Sequence, residues 1–132
     1  MPQTLILVKP DAFERALTGE VLARFERKGL RISALKKVTA TEEIAHEHYA
    51  EHKGKPFYPG LVDFISSGPV LALAVSGESA ISVVRTMMGA TNPLDSAPGT
   101  IRGDFALELS ENIVHGSDSK ASARRELKLF FP

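Results

Sequence analysis

Apolar residues fall along this chain in two rhythms: unbroken runs of strand length and stripes of helical period. Leu5-Ile6-Leu7-Val8, entered from Thr4, is continuously apolar, the pattern of a central strand buried on both faces. It stops at Lys9-Pro10-Asp11, where proline removes a ladder donor. Leu17, Val21, Leu22 and Phe25 then recur at helical spacing and predict a helix over 12–28, broken once near Thr18-Gly19 and closed by Gly29. Leu30 to Thr39 sets Ile32, Ala34 and Val38 among charges, which predicts an edge strand exposing Arg31, Lys36 and Lys37. Thr41-Glu42-Glu43 opens another helix with a hydroxyl cap and acids in the first turn.

The second half repeats the alternation. Gly54-Lys55-Pro56-Phe57-Tyr58-Pro59-Gly60 is a turn-rich break with two adjacent aromatics, which serve either as a stacking platform for a planar ring or as the loop's own apolar anchor. Leu61, Val62, Phe64 and Ile65 predict a short amphipathic helix ended by Ser67-Gly68-Pro69, and Val70 to Val75 is the second fully apolar strand. Ile81, Val84 and Met88 stripe a helix over 78–88, with Arg85 near its C-terminal end, where a cation suits the helix dipole. Gly89 to Gly103 reads as the longest irregular stretch and embeds Arg102; loops beyond about 12 residues tend to be functional or disordered, and this one is given a functional reading. Phe105, Leu107 and Leu109 alternate and predict one more short strand.

The stretch Asn112 to Ser119 organises the rest. Ile113-Val114 delivers His115 to Gly116, which is read as a sharp turn; Ser117 then suits an N-cap and Asp118 a first turn. A helical pattern follows to Leu129, with Ala123, Leu127 and Phe130 on its apolar stripe. His115 is therefore expected at a strand end beside a helix N-terminus, whose unpaired N–H groups favour phosphate.

Length and charge then narrow the classes. A chain of 132 residues fits a single domain over 1–132 that needs no metal or disulfide staple. Its 16 basic and 16 acidic side chains cancel, which argues against dedicated nucleic-acid binding. Without cysteine there is no disulfide, thiolate metal site or cysteine nucleophile. No leader pattern and no apolar run near 18 residues is present, so a soluble, cytoplasmic protein without membrane attachment is expected. No internal repeat stands out. Two motif matches are set aside. His48-Tyr49-Ala50-Glu51-His52 fits the H-x-x-E-H zinc-peptidase pattern, but no further ligand follows and such peptidases are larger, so solvated helix histidines are the reading. Arg102-Gly103-Asp104 spells an adhesion tripeptide in a chain with no secretion signal, and the arginine is better read as a phosphate fork.

Pattern alone gives a domain mixing apolar strands with amphipathic helices and names no substrate. Several blocks in order say more: Val8-Lys9-Pro10-Asp11, Glu26 to Gly29, His48-Tyr49 with Lys55-Pro56-Phe57, Ser67 to Val70, Arg85 through Asn92-Pro93, Pro98 to Phe105, and Asn112 to Ser119. From Leu5 to Phe131 the chain resembles the nucleoside diphosphate kinases. The resemblance implies an α+β, ferredoxin-like βαββαβ fold, a four-stranded antiparallel sheet covered by helices on one face. It implies exchange of the γ-phosphate between nucleoside triphosphates and diphosphates, with His115 as nucleophile, Glu126 holding its ring and Ser117 steadying Glu126. Lys9, Tyr49, Arg85, Thr91 and Arg102 match the groups that hold phosphates; Lys9 and Asn112 match those on the ribose hydroxyls. Phe57 matches the residue stacked on the base, with Leu61 and Leu109 on its other side. Mg²⁺ is implied as a companion of the nucleotide phosphates, with Asp118 reaching it through water, and so is a homo-oligomer, a hexamer in preference to a tetramer. The chain departs from the pattern at Ala12 and Ala16, where the family commonly has glycine, and in ending soon after Phe131 without the extension of eukaryotic members.

Overall fold

In the computed structural model, which describes residues 2–109 and 111–132, the chain runs β1 (Gln3–Val8), α1 (Pro10–Glu14), α2 (Thr18–Lys28), β2 (Arg31–Val38), α3 (Glu42–His48), α4 (Tyr58–Ile65), β3 (Val70–Ser76), α5 (Ala80–Met88), α6 (Ile101–Phe105), β4 (Val114–Gly116) and α7 (Lys120–Phe130). The strands form one sheet in the order β2-β3-β1-β4, with every neighbouring pair antiparallel. This is the ferredoxin-like order, and the two apolar runs occupy its centre as their composition requires. β2 lies at an edge and alternates in burial along its length with Arg31 and Lys37 exposed, but Lys36, expected in solvent, is half-buried over the Phe131 ring and Leu35 is exposed instead.

Because β1 and β3 are apolar on successive residues, both faces of the sheet must be covered, and both are. Ile6, Val8, Leu71, Leu73 and Val75 pack with Val21 and Phe25 of α2 and Val84 and Met88 of α5. On the opposite face Leu5, Leu7, Val70 and Ala72 pack with Ala45 of α3, Val62 and Ile65 of α4 and Phe130 of α7. The expectation of one covered face is thereby corrected. A half-polar sheet can leave one face in water; this one cannot.

The predicted break in the first helix falls between Glu14 and Thr18, where Ala16 adopts a left-handed backbone with φ +57°. Gly29, at φ +103°, closes α2 through N–H bonds to the Phe25 and Glu26 carbonyls. Thr41 caps α3 by accepting from the Ile44 N–H. Two expectations fail. Phe105 to Leu109 is no strand: Phe105 ends α6, and Leu107 and Leu109 stand exposed, because β4 already occupies the open edge of β1. Nor is 89–103 irregular throughout, since Pro93–Asp95 forms a 3-10 turn and Thr100 caps α6 through its hydroxyl.

Candidate active site

The register of β4 aims the central histidine. Ile6 opposes Gly116, Leu7 opposes His115 and Val8 opposes Val114, so His115 shares the face of Leu7 and looks toward α3 and α7. From α7, the buried Glu126 presents Oε1 to His115 Nε2 at 2.9 Å. Ser117 donates its hydroxyl to the same oxygen at 2.7 Å. Burial pushes the Glu126 carboxyl up, but hydrogen bonds from His115 and Ser117 and the charges of His115 and Arg125 outweigh it and hold the group below its usual range. Nε2 is thus committed to an ionised carboxylate, which leaves Nδ1 as the ring nitrogen with a lone pair to offer.

This pairing corrects the reading of Ser117 as an N-cap. Its hydroxyl is fully buried on Glu126, and Ser119 caps α7 instead, accepting from the Ser122 N–H at 3.1 Å. Gly116 also has a different role from the expected turn. A Cβ there would meet Met88 Cε at 2.9 Å and Val84 Cγ1 at 3.0 Å, so glycine is required because α5 crosses β4 closely.

The turn lies earlier, at Ile113, whose φ of +74° is costly for a β-branched residue. Three interactions hold it. Its side chain is fully buried, its N–H donates to Asp11 Oδ2 at 3.0 Å, and its carbonyl accepts from the Lys9 N–H at 2.9 Å. The strained residue therefore locks the start of α1 to the strand that carries His115.

A linked set of polar groups surrounds that lock. Lys9 Nζ donates to Asn112 Oδ1 at 2.8 Å, and Asn112 Nδ2 donates to the Thr91 carbonyl at 3.0 Å. Burial, then the Arg102 charge, lower the Lys9 pKa to about 8, while Asp11 acts to raise it. Arg102 lies within α6 and is nearly buried, not in a loop as expected. Its Nη2 donates to the Val114 carbonyl at 2.7 Å, its Nε to Asn112 at 3.3 Å, and its Nη1 to Gly89 at 3.3 Å and Ala90 at 3.4 Å. Burial and the Arg85 charge lower it to about 10, so it stays charged at neutral pH. Arg85 is exposed and donates to the Gly116 carbonyl at 3.4 Å.

The remaining candidates divide. Tyr49 is nearly buried, and its ring meets the edge of His48 at 4.7 Å; burial, then Glu126, push its phenol above the usual range. His48 overturns the solvated-helix reading. α3 ends on it, the residue is 2% exposed, and its ring stands edge-on to His115 at 4.5 Å, whereas His52 lies in a separate 3-10 turn. Phe57 is half exposed beside the His52 ring, Leu61 is partly buried in the layer of α3, α4 and α7, and Leu109 is exposed. Asp118 is exposed, and its carboxyl is lowered first by a hydrogen bond with Ser122, against a desolvation cost, with Arg85 adding to the effect. Lys9, Arg85, Arg102, Asn112, His115, Ser117 and Glu126 are thus joined through β4 and its flanks. Thr91 joins through its backbone, and Phe57, Leu61, Leu109 and Asp118 make no hydrogen bond to that set among the described residues. Sequence reasoning assigned no role to Asp11, Ile113 or His48, because the Asp11–Ile113 contact spans 102 residues and no local pattern marks it.

A family model described as nucleoside diphosphate kinase matches residues 2–132. The chain belongs to the nucleoside diphosphate kinase family. Among curated nucleoside diphosphate kinases, that of Archaeoglobus fulgidus is 57% identical over 131 residues, covering 99% of this chain and 87% of that one. That of Thermus thermophilus is 56% identical, covering 99% and 96%. The solved nucleoside diphosphate kinase of Halobacterium salinarum, in complex with CDP, superposes with a TM-score of 0.96 at 50% identity, covering 98% of this chain and 86% of that one. A nucleoside diphosphate kinase family protein from Babesia bovis gives 0.96 at 49% identity, covering 99% and 88%.

Proposed function

We propose that this chain moves the γ-phosphoryl group of a nucleoside triphosphate, typically ATP, to a nucleoside diphosphate in two half-reactions through a phosphohistidine on His115. The carrying observation is the His115 ring held by Nε2 on an ionised, buried Glu126. In the first half-reaction the Nδ1 lone pair attacks the γ-phosphorus, the bond to the bridging oxygen breaks, and the diphosphate leaves with the electron pair. Nε2 keeps its proton, and Glu126 balances the positive charge that the substituted ring acquires. The second half-reaction runs the same step backwards onto the terminal oxygen of another diphosphate.

The transferring group spreads charge over three oxygens, so positioned donors matter more than covalent help. Lys9, Tyr49, Arg85, Thr91 and Arg102 supply them; four of the five Arg102 N–H groups go to carbonyls, which leaves one, on Nη2, for the anion. Lys9 and Asn112 take the ribose hydroxyls. Phe57 is exposed enough to receive a base on its face, with Leu61 and Leu109 on the other side, and stacking of that kind is indifferent to the base.

Mg²⁺ fits as a companion of the nucleotide. Asp118, exposed and ionised just after β4, is suited to hold one of the ion's waters, and the bound ion neutralises phosphate charge. Leu35, Leu94 and Leu107 stand exposed on the single chain, apolar surface for a homo-oligomer to cover, with six subunits favoured over four. Among the described residues no helix is long and apolar enough to cross a membrane, and we place the protein in the cytoplasm.

Incubation with γ-labelled ATP tests the reading. Acid-labile, base-stable label is expected on the protein and is removed by added diphosphates. A His115→Ala protein that still labels and exchanges at the parent's rate overturns it.

A further inference from the structure

His48 has no task in the reaction just described, and its burial is expensive. Both ring nitrogens are buried and neither has a hydrogen-bond partner, an arrangement that folded proteins rarely tolerate. Burial, then the charges of His115, Lys9 and Arg125, push its pKa well below the usual value, so the ring is neutral. Its neighbours explain what such a ring can do. One ligating atom each from His48, His115 and Glu126 lie within 4.8 Å of one another, the one such histidine and acid group among the described residues.

We infer that His48, His115 and Glu126 form a binding site for a borderline transition cation of the Zn²⁺ class, which takes the His115 ring out of reaction. Two imidazoles and a carboxylate with a fourth position open to solvent is a recurrent tetrahedral donor set for zinc. A tetrahedron with bonds of about 2.0 Å has edges of about 3.3 Å, so His48 must draw in while the His115–Glu126 pair, now 2.9 Å apart, gives up its hydrogen bond and opens slightly. His48 makes that movement without breaking a hydrogen bond, since it has none. The second sphere is already built: Ser117 donates to Glu126 at 2.7 Å and Arg125 lies 3.5 Å from its other oxygen. The donor set also discriminates. Mg²⁺ prefers an octahedron of oxygens and keeps its waters, so two imidazoles on one carboxylate do not suit it.

The consequence for the reaction rests on the phosphohistidine reading. A cation on Nε2 uses the electron pair that held the ring proton, and that proton passes through solvent to Nδ1. Nδ1 then has no lone pair for phosphorus. Zinc therefore prevents phosphorylation of His115 while leaving the nucleotide's own magnesium in place, and a chelator restores labelling.

Calorimetric titration of the intact protein with Zn²⁺ under excess Mg²⁺ tests the site directly. One ion per chain is expected, and His48→Leu lowers the affinity by about 100-fold or more, whereas His52→Ala leaves it unchanged. NMR of the unaltered protein removes any dependence on how the variant folds: zinc shifts the ring resonances of His48 and His115 together and leaves those of His46 and His52 in place. Absence of binding, equal affinity in His48→Leu, or shifts confined to His46 and His52 overturns the proposal. Zinc bound at His48 in a protein whose His115 never labels, with or without metal, supports the site and overturns the phosphohistidine reading instead.

Discussion

Asp11 Oδ2 accepts the Ile113 N–H at 3.0 Å across 102 residues of chain and so holds a β-branched residue in a left-handed turn. The turn sits two positions before His115, which makes the aim of the histidine depend on a carboxylate that touches no substrate. Replacing it, Asp11→Ala, leaves a buried N–H unpaired beside a strained backbone and is expected to destabilise the protein by about 2 kcal/mol. Urea unfolding measures the loss, and an unchanged midpoint contradicts the role given to Asp11. The rate of His115 labelling falls with it.

Gly116 gives a second test. In Gly116→Ala the new methyl meets Met88 and Val84 at about 3 Å. The Met88 end is flexible, so the expected cost is about 1–3 kcal/mol and not complete unfolding. Shortening the neighbour in a Gly116→Ala, Met88→Ala double variant makes room, so the two changes together cost less than their sum. Strict additivity in thermal or urea unfolding contradicts the close approach of α5 to β4.

Ala16 predicts a gain. At φ +57° an alanine carries a left-handed penalty of about 1 kcal/mol that glycine escapes. Glycine costs unfolded-state entropy in return, so Ala16→Gly is expected to raise stability by about 0.5 kcal/mol, with exchange activity unchanged. A lower thermal midpoint contradicts the strain.

Lys9 sets a pH dependence. Its pKa falls from 10.5 in the unfolded chain to about 8 in the folded one, chiefly through burial. Between those values the unfolded chain binds the extra proton, so the Lys9 contribution to stability rises with pH from 8 towards 10.5 and its penalty is fully present below 8. Nucleoside diphosphate affinity moves the opposite way and weakens as pH rises through about 8, because the free protein loses a cation from the site. In Lys9→Met both trends disappear over that interval, as unfolding and binding titrations across pH will show.

How much of this was legible in the sequence follows from the range of the interactions. The apolar runs 5–8 and 70–75 placed the central strands, and Thr41 and Gly29 marked helix ends, because these depend on residues close in sequence. Ser117 and Gly116 carried the right residue types for the wrong reasons: a hydroxyl before a helix looks like a cap, and only the fold shows it spent on Glu126 while Ser119 caps. His48 looked like a solvated helix residue because nothing local shows that its ring closes over His115. Arg102 was found as a cation, but its burial beneath four carbonyls is a property of the assembled loops. The roles of the site residues entered through family resemblance, which the ordered blocks supported and periodicity did not supply.

The central claim is that His115 carries the phosphoryl group on the nitrogen left free by Glu126. NMR of the phosphorylated protein with isotopically labelled histidine measures it through phosphorus–nitrogen coupling. Coupling to Nδ1 of His115, with Nε2 still protonated against Glu126, is the predicted result. Coupling to Nε2, or a phosphoryl group on any other residue, contradicts the account.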